Sequence, residues 1–283
     1  MDRFVTRTKK RPATEVAVAT HNELETTDER KKTRPKDVGC TVSGDEEGYD
    51  CRSEGDFSAP LPWQKIEAEA LDLDYTVLFS KAEADRLFKK LEEEIEYFSG
   101  EKAKVQVFGK FYNIPRKQAT YGDPGLMYCF SGVRHLARPW TPVLEYIRDC
   151  VTKATGHTFN FVLVNRYRDG GDHIGEHRDD ERELDPACPI ASVSFGAARD
   201  FVFKHQDARG RRAPALRIAP VTLVLQHGSL LLMNPPTNAR WYHSLPVRKR
   251  VLLPRVNLTF RRVLQDGQGR AAPSGHSGRS GLP

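Results

Sequence analysis

From Arg255 to Arg261 the chain alternates without a break: Arg255, Asn257, Thr259 and Arg261 fall on one face of an extended segment, and Val256, Leu258 and Phe260 on the other. A period of two predicts a half-buried strand with one polar face. Phe159 to Tyr167 repeats the pattern and sets Asn165 and Tyr167 side by side on one face. Ile190 to Phe195 and Arg199 to His205 read as short strands broken at Gly196-Ala197, and Val221 to Met233 as two apolar runs split by His227-Gly228-Ser229. Val105 to Tyr112, interrupted at Gly109-Lys110, predicts a hairpin or tight bend with Phe108 beside its tip. Leu71 to Phe79 predicts a first strand.

Two stretches have the helical period instead. Ser80 is placed to cap a helix running to about Phe98, with Leu87, Phe88, Leu91, Ile95 and Phe98 as its apolar stripe. Pro142 to Thr155 predicts a second helix with Val143, Leu144, Ile147 and Val151 inward. Many short strands with a few helices ahead of them fit a two-sheet jelly roll.

Neither period reaches the ends of the chain. Met1 to about Ala59 mixes charged and small polar residues with few aromatics, and such a segment cannot offset its ordering entropy by burial. Gln265 to Pro283 is rich in Gly, Ser and Pro. The sequence therefore divides into a tail at 1–59, one folded domain at 60–264 and a second tail at 265–283. Hydrophobic residues make up 39% of the 283 positions, enough for a core but low for the length, as two tails would make it.

Lys and Arg outnumber Asp and Glu by 44 to 38, a formal charge of +6 that is compatible with nucleic acid without requiring it. Where the basic residues cluster says more. Lys9 to Pro12 and Arg30 to Lys36 read as nuclear import signals or as solvated tail charge. Arg209-Gly210-Arg211-Arg212, in a polar loop from Gln206 to Pro214, and Arg248-Lys249-Arg250 are candidate phosphate patches. The five cysteines are odd in number and scattered, which indicates neither a disulfide framework nor a zinc knuckle and fits a reducing compartment. The start of the chain lacks a secretory apolar run and no later stretch is long enough to span a bilayer, so no membrane role is expected.

The candidate chemistry starts at His177-Arg178-Asp179, where His177 and Asp179 can share a face and hold one cation. His243, in Trp241-Tyr242-His243-Ser244-Leu245-Pro246, is the best third ligand. Two histidines and one carboxylate leave positions open on a metal and favour non-haem Fe(II) oxygen chemistry. Arg255 and Arg261 lie roughly 20 Å apart along the strand, and inward-leaning side chains would narrow that to the length of a small dicarboxylate. A carboxylate clamp beside an iron triad suggests 2-oxoglutarate.

Asn165-x-Tyr167, His177-x-Asp179, His243 and Arg255-x-Asn257-x-Thr259-x-Arg261, in that order, resemble the AlkB family of Fe(II)/2-oxoglutarate dioxygenases. Val105 to Lys110, Pro115 to Gln118 and Trp241 to Lys249 narrow the resemblance to its DNA-demethylating members, over roughly Trp63 to Leu264. The resemblance implies an α+β fold: a double-stranded β-helix (jelly roll) core at about 157–264, flanking N-terminal helices, and a β-hairpin nucleotide-recognition lid at about 101–135. It implies Fe(II) on His177, Asp179 and His243, and 2-oxoglutarate on Asn165, Tyr167, Arg255, Thr259 and Arg261, with O2 as oxidant and ascorbate as reductant. It also implies repair of N1-methyladenine and N3-methylcytosine, and of etheno adducts, in double-stranded DNA by a monomeric nuclear enzyme that flips the damaged base.

By the same resemblance Phe108, with Gly109 and Lys110, is a wedge that replaces the flipped base. Arg116, Tyr128, Cys129, Phe130 and Ser131 are substrate contacts, and Asp180 and Glu181 attract a cationic methylated base. Arg209, Gly210, Arg211, Arg248, Lys249 and Arg250 would hold the DNA backbone. Arg3-Phe4-Val5-Thr6-Arg7 resembles a motif that binds the replication sliding clamp, with Thr6 where an aliphatic residue is usual. The competing readings are a single-strand or RNA demethylase of the same family, a protein hydroxylase of the same fold, and a catalytically silent nucleic-acid-binding module. No Gly-x-Ser-x-Gly elbow or phosphate loop supports other chemistry.

Overall fold

A computed structural model describes residues 60–107, 110–130, 133–179, 181–208 and 218–264. The polar tail with its two basic runs, the clamp-like Arg3–Arg7 and the Gly-, Ser- and Pro-rich end all lie outside them. So do Phe108, Gly109, Ser131, Asp180, Arg209, Gly210 and Arg211.

The described chain begins with a hairpin of β1 (Gln64–Ala68) and β2 (Leu71–Val77), followed by helix α1 (Lys81–Glu94). Strands β3 (Lys104–Val107) and β4 (Lys110–Asn113) pair with each other. β5 (Lys117–Gly122) follows, then the paired β6 (Met127–Phe130) and β7 (Val133–Leu136), and helix α2 (Pro142–Thr155). The remainder is β8 (Phe161–Tyr167), β9 (Ile174–His177), β10 (Ile190–Gly196), β11 (Arg199–His205), β12 (Val221–Leu225), β13 (Ser229–Met233), the short helix α3 (Thr237–Arg240), β14 (Trp241–Leu245) and β15 (Arg255–Arg261).

Two antiparallel sheets make the core of a jelly roll. The larger runs β1-β2-β13-β10-β15-β8-β5 and the smaller β12-β11-β14-β9. One face of the larger sheet carries Val162, Val164, Val193, Val256, Leu258 and Phe260, and these pack with Leu87 and Leu91 of α1 and Val143, Leu144, Ile147 and Val151 of α2. Between the sheets Tyr167, Phe201, Phe203, Leu231, Met233 and Trp241 form a second cluster.

This layering corrects the expectation for β15, which is buried on both faces rather than one. The helices cover its apolar side, and its polar side faces the space between the sheets. α1 starts where Ser80 predicts, with Ser80 Oγ accepting from the Glu83 amide at 3.3 Å. It stops at Glu94, short of Phe98, because Ile95 is already extended and the Phe98 amide donates 2.7 Å to the Gln118 carbonyl on β5. α2 has its predicted bounds, with Thr141 accepting at its start and Gly156 at φ 73° ending it, a conformation that costs glycine least. The expected hairpin is present as β3–β4, but Lys110 belongs to the second strand rather than to the interruption. β1, β5 and the β6–β7 hairpin were not expected.

Candidate active site

The strand pairing brings the metal-ligand candidates together. β9 and β14 are neighbours, and His243 is the register partner of His177. Their rings lie 4.3 Å apart at 65°. Asp179, just past the end of β9, points one oxygen at both: Oδ1 is 3.7 Å from His177 Nε2 and 3.8 Å from His243 Nε2. The three side chains could hold one metal ion, since a ligand atom from each lies within 4.8 Å of the others.

The tautomer of His177 suits that role. Its Nδ1 lies 2.9 Å from the Gly175 carbonyl, which can only accept, so Nδ1 carries the hydrogen and Nε2 presents a lone pair. Burial, then the neighbouring His177, hold His243 in its neutral form and push its pKa down to about 3. Burial alone would raise Asp179, but Arg261, His243 and His177 outweigh it and hold the carboxyl at about 2. A neutral imidazole and an ionised carboxylate are the forms that bind a cation.

The Asp179 backbone is held as well as its side chain. Its amide donates 3.0 Å to Asn238 Oδ1, and the Asn238 amide nitrogen donates back to the Asp179 carbonyl. Beside it, Arg178 Nη1 donates 2.7 Å to the Ala239 carbonyl, and its guanidinium lies 4.9 Å from the Tyr242 ring centre. Asn238 was missed in the sequence because an asparagine after Pro235-Pro236-Thr237 reads as an ordinary turn residue.

The cavity behind this cluster is walled by residues of β8, β10 and β15, including Asn165, Tyr167, Ser192, Asn257, Thr259 and Arg261. Four of the five predicted 2-oxoglutarate residues therefore line it: Asn165, Tyr167, Thr259 and Arg261. Asn257 Nδ2 donates 2.9 Å to Ser192 Oγ and 2.9 Å to the Val193 carbonyl, and Thr259 Oγ1 donates 3.2 Å to Asn257 Oδ1. The two arginines of β15 do different things. Arg261 faces the metal end and donates 2.6 Å from Nη2 to Asp179 Oδ2. Arg255, 1% exposed, has its guanidinium 5.3 Å from the Tyr167 ring centre and one nitrogen 2.9 Å from Ser194 Oγ. Its Nε and Nη1 have no hydrogen-bond partner among the described residues. Burial brings its pKa down to about 10, so it remains charged at neutral pH.

Arg116, expected as a substrate contact, bonds to groups of the protein itself. Its Nε donates 2.9 Å to Asn165 Oδ1 and its Nη1 donates 3.3 Å to the His173 carbonyl. The guanidinium turns inward because those acceptors sit on and beside β8, whose neighbour β5 begins just after it. Gln118 Nε2 donates to the same Asn165 oxygen at 3.0 Å. Because an arginine nitrogen can only donate, the Asn165 amide must face these two with its oxygen. Its NH2 group is left as the end available to an acceptor in the cavity.

The remaining candidates are placed as follows. Lys110 is exposed on β4, beside the exposed Phe111 and Tyr112. Tyr128, Cys129 and Phe130 lie on β6, opposite His135, Arg134 and Val133. Glu181 is half-buried. Arg248 Nε donates 2.5 Å to Asp200 Oδ2, whereas Lys249 and Arg250 are exposed beside it.

A jelly roll that closes two histidines and a carboxylate against a buried polar strand with arginines at both ends has the site of an Fe(II)/2-oxoglutarate oxygenase. The family model described as the 2OG-Fe(II) oxygenase superfamily matches residues 75–261. The chain is 66% identical over 210 residues to DNA oxidative demethylase ALKBH2 of Mus musculus, which covers 74% of this chain and 87% of that protein. The protein of the same name from Homo sapiens is 67% identical over 210 residues, 74% of this chain and 80% of that one. Alpha-ketoglutarate-dependent dioxygenase alkB homolog 3 of Homo sapiens is 39% identical over 159 residues, 56% of this chain and 55% of that one. The chain belongs to the AlkB family of the 2OG-Fe(II) oxygenase superfamily, and its cofactors are Fe(II), 2-oxoglutarate and O2.

Proposed function

We propose that this protein is a DNA repair dioxygenase that removes the methyl group of N1-methyladenine and N3-methylcytosine in double-stranded DNA, working in the nucleus on a base flipped out of the helix. The observation that carries the reading is that His177, Asp179 and His243 meet in a cavity also lined by Asn257, Thr259 and Arg261 of the buried strand β15. The relatives named DNA oxidative demethylase, at 66% and 67% identity, direct it to DNA.

In this reading His177 Nε2, Asp179 and His243 Nε2 hold the metal. Asn165, Tyr167, Arg255, Thr259 and Arg261 receive the co-substrate, with the Asn165 NH2 group and the Tyr167 hydroxyl as donors to a carboxylate. When bound, Fe(II) and 2-oxoglutarate supply the oxidation of a methyl C–H by O2, with 2-oxoglutarate converted to succinate and CO2. The hydroxymethyl group left on a ring nitrogen is a hemiaminal, which separates into formaldehyde and the unmodified base. Arg261 helps keep Asp179 ionised, and burial keeps the His243 ring neutral.

The β3–β4 hairpin, with Phe111 61% and Tyr112 52% exposed, is a suitable carrier for a wedge at Phe108. Lys249 and Arg250, with the partly engaged Arg248, would grip phosphates, as would Arg209 to Arg211. Tyr128 to Ser131, Asp180 and Glu181 would meet the cationic base, which leaves a duplex at reduced cost because its pairing is already lost. Arg3–Arg7 is retained as a clamp-binding motif, to be tested by a pull-down with and without Phe4.

The test is incubation of the purified full chain with Fe(II), ascorbate and 2-oxoglutarate and a duplex oligonucleotide carrying one N1-methyladenine or N3-methylcytosine, followed by mass. Loss of one methyl group that requires 2-oxoglutarate and is abolished by His177→Ala is the expected result. Turnover only on a single strand or on RNA would overturn the duplex assignment. Phe108→Ala should lose duplex activity and keep single-strand activity.

A further inference from the structure

Arg199 opens β11 and is 1% exposed, yet none of its three hydrogen bonds goes to a carboxylate. Nη1 donates 3.1 Å to the Asp169 carbonyl, and Nη2 donates 3.0 Å to the Asp172 carbonyl and 2.8 Å to the Pro246 carbonyl. Asp169 and Asp172 belong to the turn that leaves β8 after Tyr167 and leads into β9 with its His177. Pro246 is the residue that follows β14 with its His243. One planar guanidinium thus holds the end of the Tyr167 strand, the approach to one metal-ligand candidate and the exit from another.

The same guanidinium lies 5.8 Å from the centre of the Tyr167 ring, with the Arg255 guanidinium 5.3 Å from it. Both distances are within the range in which a cation is attracted to an aromatic face. Two like charges gathered around one tyrosine repel each other, and burial lowers the pKa of both. Such an arrangement is costly in an empty protein and is relieved by an anion. A backbone clasp joins the same two loops: the Gly170 amide donates 2.7 Å to the Val251 carbonyl, and the Arg248 amide donates 2.7 Å to the Gly170 carbonyl.

We propose that Arg199 is a positioning residue for co-substrate binding. It fixes the Tyr167 ring and the two loops beside it, so that the Tyr167 hydroxyl and the Arg255 guanidinium form one preorganised anion-binding end for a 2-oxoglutarate carboxylate. The inference rests on the reading above that Tyr167 and Arg255 receive the co-substrate. A lysine cannot replace this arginine, because a single ammonium cannot reach three carbonyls spread around a planar fork.

The test compares full-length wild type with Arg199→Lys, Arg199→Gln, Tyr167→Phe and the double variant Arg199→Lys/Tyr167→Phe. Without O2 and with Mn(II) in place of Fe(II), calorimetry gives the affinity for Mn(II) and then for 2-oxoglutarate. Arg199→Lys should weaken 2-oxoglutarate binding by roughly tenfold, the scale on which residues that orient ligands act, while Mn(II) binding stays within about twofold. The loss in the double variant should be smaller than the product of the two single losses, because both act on one group.

Normal 2-oxoglutarate affinity in Arg199→Lys, with Tyr167→Phe weakened, would overturn this inference and leave the Tyr167 assignment standing. Normal affinity in Tyr167→Phe would remove that assignment and the inference with it. Equal weakening of Mn(II) and 2-oxoglutarate, or failure of both Arg199 variants to fold, would make Arg199 a purely structural residue and overturn the proposal as well.

Discussion

Arg261 Nη2 lies 2.6 Å from Asp179 Oδ2, and both side chains are 4% exposed. A charge pair this dry does little for stability compared with an apolar pair, but removing one partner leaves the other charge stranded, at a cost of about 3–5 kcal/mol. The pair also divides the carboxylate, because Oδ2 is taken by the arginine while Oδ1 faces His177 and His243.

Arg261→Met is therefore expected to lower the melting temperature of the metal-free protein by about 10 °C at neutral pH. The pH dependence has a definite sign. In the wild type the Asp179 carboxyl is lowered from 3.8 to about 2, so its contribution is complete above pH 3.8 and fades as pH falls toward 2. In the variant, burial is no longer opposed by Arg261 and the carboxyl rises, so the folded form gains protons as pH falls. Melting temperatures measured at pH 8 and at pH 4 should show the gap between the two proteins narrowing in acid. A gap that widens would mean Arg261 does not set the ionisation of Asp179.

Asn238 does for the Asp179 backbone what Arg261 does for its side chain, by accepting from its amide and donating to its carbonyl. Asn238→Ala removes both bonds and should weaken Mn(II) binding by roughly 10- to 100-fold. Asn238→Asp keeps an acceptor for the amide but sets a carboxylate against the carbonyl oxygen, so it should not rescue the loss. Titration of Mn(II) by its electron paramagnetic resonance signal would decide. Unchanged affinity in Asn238→Ala would make the two bonds incidental to the metal-ligand cluster.

Local patterns in the sequence announce β15, β8 and α2, because side-chain periodicity is a property of neighbours along the chain. Asn165, Tyr167, Thr259 and Arg261 could be grouped on polar faces for that reason, and the cavity contains all four. What depends on distant partners was not legible. The alternation of β15 cannot reveal that helices cover its apolar side. The facing of His177 and His243 is set by the β9–β14 register and has no local signature. The bond from Arg116 to Asn165 has no local signature either, because it depends on the pairing of β5 with β8. β1 was overlooked because Gln64 to Ala68 is largely exposed and lacks a clean apolar face.

Gly170 marks where backbone passes against backbone. A Cβ at this position would lie 1.8 Å from the Arg248 carbonyl oxygen and 2.9 Å from that of Val251, neither of which can swing aside. Gly170→Ala should force the 248–251 loop outward, break the two 2.7 Å bonds of the clasp and cost a few kcal/mol. Since Lys249 and Arg250 ride on that loop, binding of unmodified duplex should weaken and the slope of log affinity against log salt should become shallower by about one or two. Filter binding across a salt series measures both. A variant with wild-type stability and salt slope would show that the loop is free to move and that the basic triplet is not on the DNA-binding face.

Arg116 gives the sharpest contrast between what the sequence suggests and what the structure supports. If it were a contact to the DNA substrate, Arg116→Ala would weaken DNA binding, reduce its salt dependence and leave 2-oxoglutarate alone. The structure instead has its Nε on the Asn165 oxygen, with Gln118 on the same atom. Removing Arg116 leaves Gln118, whose own amide can present either end, so the Asn165 amide is free to reverse. Its oxygen would then face the cavity and repel a carboxylate that its NH2 group should receive. The expected outcome is a KM for 2-oxoglutarate raised several-fold in Arg116→Ala and further in Arg116→Ala/Gln118→Ala, with the affinity for unmodified duplex and its salt slope unchanged. Asn165→Asp, which cannot donate in either orientation, should be at least as impaired as the double variant. Loss of duplex affinity with a normal KM would support the substrate-contact role and require the guanidinium to leave Asn165 when DNA binds.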